Sequence, residues 1–452
     1  MAGLIAIPVL TAALLLAQAP TRLYVEPFDG ALHDQLVEQL KKDSRVAVVD
    51  SAADAQMLVA GSGQTWIKGY LSANPRVRYR NSDAQPVYTG YLSVELKDKR
   101  RQTVWSWLAT PGRFDPHDIN RNLAERVAPR LVAAVAAHST DGAGSALSSR
   151  GGAALTAAGA TFPYPLYQKW FDSFGADIRY SAVGSSAGIE ALRKGAVDFA
   201  ASDMPLSDEL LASMPFKVRH VPTAIGGVVP IYNVAGLAQD LRFTPEALAG
   251  IFLGRIHRWD DPVLKTANPR AALPAREITA VHRADGSGTT FIWTGYLSAV
   301  SDAWKSGPGH GLTVQWPVGN SAQGNEGVAE LVRKTPDSIG YVEYIYALQN
   351  QLNYGSVRNR AGRFVQASLE TLTAAAASMP GDVRAPIVNA PGANAYPIAS
   401  FTYLLIPERP ADTPQRKMLD EFLRWMLTSG QKECAALGYA SLPAAVAHKA
   451  MQ

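Results

Sequence analysis

A stretch rich in glycine, serine and alanine, residues 139–154, divides the chain into two parts of unequal length. It reads STDGAGSALSSRGGAA, and twelve of its sixteen residues are Gly, Ser or Ala. Such a composition buries too little apolar surface to join a hydrophobic core and is typical of a flexible linker. The sequence therefore predicts a front domain over residues 20–138 and a back domain over residues 155–452.

The first 19 residues are predicted to form a signal peptide. An apolar run from Leu4 to Ala17 ends in the small-x-small pattern Ala17-Gln18-Ala19. A run of about 14 residues is too short to span a bilayer and long enough for the apolar region of an export signal. The alternative is a buried strand or helix at the amino end of the front domain. We expect export, with the mature chain in the periplasm.

The front domain combines strand patterns with helical ones. Strand-like patterns occur over residues 22–27, 46–49, 57–71, 77–79, 87–96 and 103–108. Apolar residues recur at helical spacing from Leu32 to Leu40 and over residues 118–137. A β-α-β start, a meander and a closing helix predict a small α+β domain. It faintly resembles the amino-terminal domain of the TolB family of envelope proteins. Binding of an unknown envelope partner is therefore one role that the front domain could have.

Charge and cysteine content exclude several classes of function. Residues 155–452 carry 26 Lys and Arg against 25 Asp and Glu, so a broad basic face for nucleic acid is not expected. Cys434 is the single cysteine, and the scattered histidines form no HExxH or similar ligand pair. These counts exclude a disulfide framework and a cysteine-rich zinc site, and we expect neither a metal nor a cofactor.

Three short segments of the back domain share a pattern: each is rich in Gly, Ser and Thr, and each leads into a helical pattern. They are Gly159–Pro163, Gly184–Gly188 and Asp285–Thr290. The amino end of a helix has free N–H groups and the positive end of the helix dipole, and small hydroxyl residues there add further donors. Three such segments in one domain indicate convergence on a tetrahedral oxyanion.

Charged residues near these segments narrow the choice of anion. Arg283 precedes the third segment, where its guanidinium can hold two oxygens, and Asp285 is expected to pair with it. Asp203 follows an apolar run and is expected at the end of a strand. A carboxylate beside an anion requires the anion to carry a proton, as phosphate does near neutral pH and sulfate does not. The structural alternatives are a helix cap for Asp203 and a surface ion pair for Arg283.

Eight segments of the back domain together carry a family resemblance. They are AAGATFPYPLYQKW (157–170), YSAVGSSAGIEAL (180–192), VDFAASDMPLSDE (197–209), IGGVVPIYN (225–233), IFLGRIHRWDDP (251–262), HRADGSGTTFIWTGYL (282–297), IGYVEYIYALQ (339–349) and YASLP (439–443). These segments resemble the periplasmic phosphate-binding proteins of bacterial high-affinity phosphate ABC transporters. The front domain is the large departure, because the usual family member begins near residue 155.

The resemblance implies a phosphate site and names its residues. The implied contacts, with Asp285 supporting the arginine, are Thr161, Phe162, Ser185, Asp203, Arg283, Ser287, Gly288 and Thr289. All eight positions hold the residue types that the family has there. The implied partners are inorganic phosphate and the membrane permease subunits of an ABC transporter, and no catalysis is expected.

The resemblance also implies a two-lobed α/β periplasmic binding protein fold, preceded by the small α+β domain. Lobe one takes residues 155–224 and 397–452, and lobe two takes residues 225–396. Crossover strands near 222–228 and 394–400 form the hinge, with the site between the lobes. Closure on the anion creates the shape that the permease recognises.

Two other functions fit parts of the sequence. Gly184–Gly188 also matches the G-x-S-x-G elbow of α/β-hydrolases, with Ser186 as nucleophile and Asp302 and His310 downstream. An envelope protein with a structural or signalling role and a vestigial phosphate site is the third interpretation. Product formed from an activated ester would favour the hydrolase, and equilibrium binding of phosphate separates the vestigial site from a working one.

Overall fold

The structure is a computed structural model of the chain. It describes residues 19–71, 85–111, 118–138, 154–237, 240–377, 383–408 and 412–451. The predicted strand 77–79 lies outside these residues, as do the signal peptide apart from Ala19 and the linker apart from Ala154. Within the described ranges, the helices are all too short or too polar to cross a bilayer.

The front domain is a sheet covered on one face by helices. Its elements are β1 (Thr21–Val25), α1 (Gly30–Leu40), β2 (Val46–Val48), β3 (Met57–Leu71), β4 (Gln85–Lys97), β5 (Thr103–Ala109) and α2 (Ile119–His138). β1 lies parallel to β2 and β3, and β3, β4 and β5 form an antiparallel meander, in the order β2-β1-β3-β4-β5. Leu92, Val94 and Leu96 alternate along β4 and share a core with α1 and α2. The predicted α+β architecture is confirmed.

The opposite face of this sheet contacts the back domain. The hydroxyl of Ser93 donates to the carbonyl of Ala436 (2.7 Å). Ser106 donates to the carbonyl of Lys432 (2.5 Å) and accepts from the N–H of Ala436 (3.1 Å). An ion pair also joins Lys68 to Asp240 on the other side of the interface. The front domain therefore contacts parts of the back domain that are far apart in sequence.

The back domain begins with alternating strands and helices and ends with a strand that returns to them. Its first elements are β6 (Leu155–Gly159), α3 (Tyr164–Phe174), β7 (Ile178–Ser181), α4 (Ser185–Arg193), β8 (Phe199–Ser202), α5 (Asp208–Ser213) and β9 (Val218–Asn233). The chain closes with β17 (Ala399–Pro407), α13 (Pro414–Met426), a 3₁₀ helix (Gly430–Leu437) and α14 (Ala444–Met451). β6 lies parallel to β7 and β8, which brings their carboxyl ends to one edge.

The middle of the back domain builds a second group of strands and helices. These are β10 (Arg242–Phe243), α6 (Pro245–Phe252), α7 (Pro262–Ala267), β11 (Thr279–Arg283), α8 (Gly288–Val300), α9 (Asp302–Ser306), β12 (Asn320–Ala322), α10 (Gly324–Lys334), β13 (Ser338–Glu343), α11 (Tyr344–Gln349), β14 (Asn353–Tyr354), β15 (Ser356–Arg358), β16 (Phe364–Val365) and α12 (Leu369–Ala376). β11 lies parallel to β12 and β13, so its carboxyl end also points to one edge.

The long strand β9 runs through both groups. Its first half, from Val218 to Gly227, pairs with β17, and its second half, from Val228 to Asn233, pairs with β13. The resulting strand order is β12-β11-β13-β9-β17-β8-β6-β7. A Cβ on Gly226, midway along β9, would overlap the ring of Phe162. This is the two-lobed α/β architecture that the sequence predicted, with β9 continuous between the lobes.

Candidate functional site

The Gly-, Ser- and Thr-rich segments meet where strands of the two lobes end. α4 begins at Ser185, and α8 begins at Gly288. The hydroxyl oxygen of Ser185 accepts from the N–H of Gly288 (3.1 Å) and from the N–H of Asp203 (3.4 Å). In the predicted division into lobes, Ser185 and Asp203 belong to lobe one and Gly288 to lobe two. The predicted convergence of helix amino ends is therefore present in the structure.

The lobes are in contact across this site. The N–H of Ser186 donates to the carbonyl of Gly286 (3.0 Å). A Cβ on Gly288 would overlap the carboxylate of Asp203, and a Cβ on Gly184 would overlap that of Asp285. Glycine at these positions lets the two lobes approach more closely than a side chain allows.

The segment before α3 is anchored through its backbone carbonyls. The hydroxyl of Tyr346 donates to the carbonyl of Thr161 (2.7 Å), and that of Tyr439 donates to the carbonyl of Phe162 (2.6 Å). Thr161 and Phe162 are both buried. β6 reaches this segment through Gly159, whose φ of +148° and close contact with β8 exclude a side chain.

Arg283 and Asp285 form a buried ion pair. The arginine Nε donates to Oδ1 of Asp285 (2.8 Å) and its Nη2 donates to Oδ2 (2.5 Å), while the side chains are 1% and 13% exposed. Burial opposes ionisation of Asp285, but the hydrogen bonds and charge of Arg283 outweigh it and hold its pKa below the usual value. The alternative of a surface ion pair is therefore wrong. Nη1 of Arg283 donates to the hydroxyl of Thr289 (3.3 Å), inside the site.

Asp203 lies at the end of β8, as predicted, and is 1% exposed. Its Oδ1 accepts from the hydroxyl of Thr402 (2.7 Å), whereas its Oδ2 has no hydrogen-bond partner among the described residues. Burial raises the pKa of Asp203 to about 7, although Thr402 and Arg283 both act to lower it. The next helix, α5, is capped by Ser207. The helix-cap alternative for Asp203 is therefore wrong.

Ser287 and Thr289 complete the start of α8. The hydroxyl oxygen of Ser287 accepts from the N–H of Thr290 (3.1 Å) and so caps the helix. Ser287 is fully buried and Thr289 is 1% exposed. The structure thus brings all the predicted contact residues together, through hydrogen bonds that join them or their immediate neighbours.

Sequence reasoning missed two buried residues of the site, Thr402 and Asn325. Thr402 lies within the apolar strand β17, where a threonine gives no local signal. Asn325 stands at the start of α10 in Gly324-Asn325-Glu326-Gly327, and its side chain contacts Thr161 and Thr289. This segment has the same sequence signal as the predicted ones, a glycine at the start of a helix after a short strand, and could have been recognised by it.

The hydrolase elbow does not form around Ser186. β7 ends at Ser181, and Ser186 lies inside the first turn of α4 rather than at a sharp strand-to-helix turn. His310 packs its ring on Phe291, with ring centroids 4.0 Å apart, and Asp302 begins α9. A search of the described ranges finds no cluster of His, Cys, Asp and Glu that could hold a metal ion.

Comparison with known proteins places the back domain in a family. A model of the PBP superfamily domain matches residues 135–429. The chain is similar to the phosphate-binding protein PstS of Xylella fastidiosa (strain Temecula1), at 42% identity over 298 residues, covering 64% of this chain and 81% of the relative. It is also similar to PstS of Pasteurella multocida (strain Pm70), at 41% identity over 304 residues, covering 65% and 88%. PstS of Methanocaldococcus jannaschii is 37% identical over 320 residues, covering 64% and 82%.

Solved structures share the fold. A high-affinity periplasmic phosphate-binding protein, PfluDING, solved with bound phosphate, superposes with a TM-score of 0.54 at 23% identity, covering 66% of this chain and 92% of that chain. A phosphate-binding protein from Stenotrophomonas maltophilia gives a TM-score of 0.52 at 22% identity, covering 66% and 93%. From the matched family model and the PstS relatives we conclude that the chain belongs to the PBP superfamily and, within it, to the PstS phosphate-binding proteins.

Proposed function

We propose that this chain binds inorganic phosphate between its lobes and delivers it to the permease subunits of an ABC transporter that imports phosphate. The observation that carries the proposal is Asp203, a buried carboxyl group set among hydrogen-bond donors. In the described part of the chain, its Oδ2 is engaged by no protein donor. A protonated oxyanion supplies the hydrogen that this oxygen needs, and phosphate is such an ion near neutral pH.

The donors of the site are arranged to receive the remaining oxygens. Ser185 and Ser287 each accept a backbone N–H at their hydroxyl oxygen, so each keeps its own hydrogen for the ion. Arg283 adds a buried guanidinium, which Asp285 holds in place. We propose that the phosphate contacts are Thr161, Phe162, Ser185, Asp203, Arg283, Ser287, Gly288 and Thr289.

The PstS relatives, which are named phosphate-binding proteins, support this role in transport. We propose that residues 1–19 direct export, that residues 139–154 link a separate front domain to the back domain, and that the chain works in the periplasm. Within the back domain, residues 155–224 and 397–452 form lobe one and residues 225–396 form lobe two. The front domain adds a surface for an envelope partner.

Calorimetry of the mature chain with phosphate, arsenate and sulfate tests this function. We expect phosphate to bind and arsenate, which also carries a proton, to compete with it. At pH 8, where Asp203 is ionised and phosphate still carries a proton, sulfate is expected not to compete, because it would place an unprotonated oxygen against Oδ2 of Asp203. Sulfate binding as tight as phosphate binding would refute the role of Asp203. Failure to bind phosphate would favour the vestigial site instead.

A further inference from the structure

Asn325, at the start of α10, joins the two lobes through one side chain. It is fully buried. Its Nδ2 donates to the hydroxyl oxygen of Thr161 in lobe one (2.9 Å) and to the hydroxyl oxygen of Thr289 in lobe two (3.2 Å). Its own N–H lies 3.4 Å from the same oxygen of Thr161. One amide group therefore contacts a hydroxyl on each side of the cleft.

The backbone of β13 fixes which way this amide points. The N–H of Glu343 donates to Oδ1 of Asn325 (3.0 Å). Turning the amide over would place its NH₂ group against this N–H, so that two donors faced each other. The oxygen must therefore face Glu343, and the NH₂ group must face the two threonines.

This orientation sets the direction of both threonine hydroxyls. A hydroxyl has one hydrogen to donate and two lone pairs that accept. The oxygen of Thr161 accepts from Asn325, and the oxygen of Thr289 accepts from Asn325 and from Nη1 of Arg283 (3.3 Å). The hydrogen of each hydroxyl must then point away from these donors, and it is available to an ion in the cleft.

We propose that Asn325 is a positioning residue that presents Thr161 and Thr289 as hydrogen-bond donors to the bound anion. The proposal rests on the proposed function, because it assigns Asn325 a role in binding phosphate. Asn325 acts through the threonines and need not touch the ion itself. Since its amide reaches lobe one from lobe two, the same contacts also favour the closed arrangement of the lobes.

The first test replaces Asn325 and measures phosphate affinity by calorimetry. Asn325→Ala should weaken binding about tenfold to a hundredfold, because both hydroxyls can then turn their hydrogens toward other acceptors. Asn268→Ala is the matched control. Asn268 is also a buried asparagine, and its Nδ2 donates to the carbonyls of Arg242 and Leu264, away from the site. The control should lose stability and keep the parent affinity within about twofold.

A double-mutant cycle separates positioning from a purely structural role. In a protein that carries Thr161→Val and Thr289→Val there are no hydroxyls to direct, so adding Asn325→Ala should weaken binding less than about threefold further. A loss as large as in the parent would overturn the proposal, because Asn325 would then act independently of the threonines.

Asn325→Asp provides a second route if the alanine variant does not fold. The carboxylate keeps an acceptor for the N–H of Glu343 but accepts the threonine hydrogens instead of donating to their oxygens. At pH 8 the phosphate affinity of this variant should be lower than that of the parent. As pH is lowered and the new carboxyl is protonated, the difference between variant and parent at the same pH should shrink. The titratable groups of the site, Arg283, Asp285, Asp203 and Glu343, are common to both proteins, so their effects cancel when variant and parent are compared at one pH. Burial raises the pKa of Glu343 well above its usual value.

The outcomes distinguish this proposal from the function on which it rests. A parent protein that does not bind phosphate refutes the proposed function. A parent that binds phosphate, together with Asn325→Ala and Asn325→Asp variants of parent affinity, refutes the positioning role alone.

Discussion

Asp203→Asn is the substitution that tests the chemistry of the cleft most directly. The hydroxyl of Thr402 donates to Oδ1 of Asp203 (2.7 Å), so the amide oxygen of the variant is expected to take that position. The NH₂ group then occupies the place of Oδ2, which lies against Gly288 at the start of α8. The variant therefore presents a donor where the parent presents an acceptor, with little change in shape.

Sulfate has almost the size and shape of phosphate, so shape cannot separate the two ions. A site built around a required hydrogen bond can reject an analogue that lacks it by about 10⁴-fold, or about 5.5 kcal/mol. Asp203→Asn removes the repulsion between the carboxylate and sulfate. It also removes the carboxylate oxygen that faces a sulfate oxygen with no hydrogen between them. We expect sulfate affinity to rise by at least about a hundredfold, and phosphate affinity to change by less than about tenfold, since the amide can still hydrogen-bond to phosphate.

The same variant has a second effect, on stability without ligand. Burial raises the pKa of Asp203 from the usual 3.8 to about 7. Between about pH 4 and pH 7, Asp203 is therefore protonated in the folded protein and ionised in the unfolded chain. Because the folded state binds the extra proton, the free energy of unfolding falls as pH rises through that range. At pH 8, above both pKa values, the full cost is about 4 kcal/mol. Below pH 4 it vanishes. Asp203→Asn should be more stable than the parent at pH 8 and equal to it near pH 4.

Calorimetry with sulfate and phosphate, together with urea unfolding at both pH values, measures these effects. Glu433→Gln is the matched control, because Glu433 is buried at the domain interface and burial raises its pKa to about 7 as well. That control should show the same kind of pH-dependent gain in stability and no sulfate binding. If Asp203→Asn rejects sulfate as strictly as the parent does, selectivity lies in other residues and the reasoning fails.

Further outcomes follow from the site and from the domain interface. Arg283→Lys keeps the charge and loses the forked donor, so calorimetry should show phosphate affinity at least tenfold weaker, roughly 1.4 kcal/mol. Gly288→Ala places a Cβ onto the carboxylate of Asp203 and should weaken binding by about a hundredfold or more, measured in the same way. Ser106→Ala removes the hydroxyl that bonds to the carbonyl of Lys432 and the N–H of Ala436, and should lower the free energy of unfolding by about 1 to 3 kcal/mol in urea, with phosphate affinity unchanged. A chain of residues 151–452 should keep phosphate affinity within about tenfold of the full chain, and a larger loss would show that the front domain contributes to the site.

Local patterns in the sequence predicted the elements of the front domain well. The strand predicted over residues 57–71 is β3 with the same bounds, because period-two alternation is a local property of the chain. The contact between the domains had no such signal. Ser93 and Ser106 alternate with apolar residues that face the helices. Tyr91 and Leu108, whose side chains join the apolar core of the back domain, lie beside them, and no local pattern says which partner covers this face.

The site residues that could be predicted are those that lie in short segments with a recognisable sequence pattern. Glycine and hydroxyl residues at a helix start mark an anion site within one segment, and Asp203 could be placed at a strand end from the apolar run before it. Thr402 holds the orientation of Asp203 from 199 residues away in sequence. Such a contact depends on the pairing of β8 with β17, which local patterns do not reveal.

The charges of the cleft explain why donors rather than net charge must provide most of the binding free energy. Asp285 neutralises Arg283, and Asp203 adds a second carboxyl group, whose pKa burial raises to about 7. The ionisable groups at the site therefore carry no net positive charge toward a phosphate ion. Its attraction must come from backbone N–H groups, hydroxyls and helix amino ends, which are fixed at short range. Since screening by salt acts weakly on such buried contacts, phosphate affinity should depend little on ionic strength.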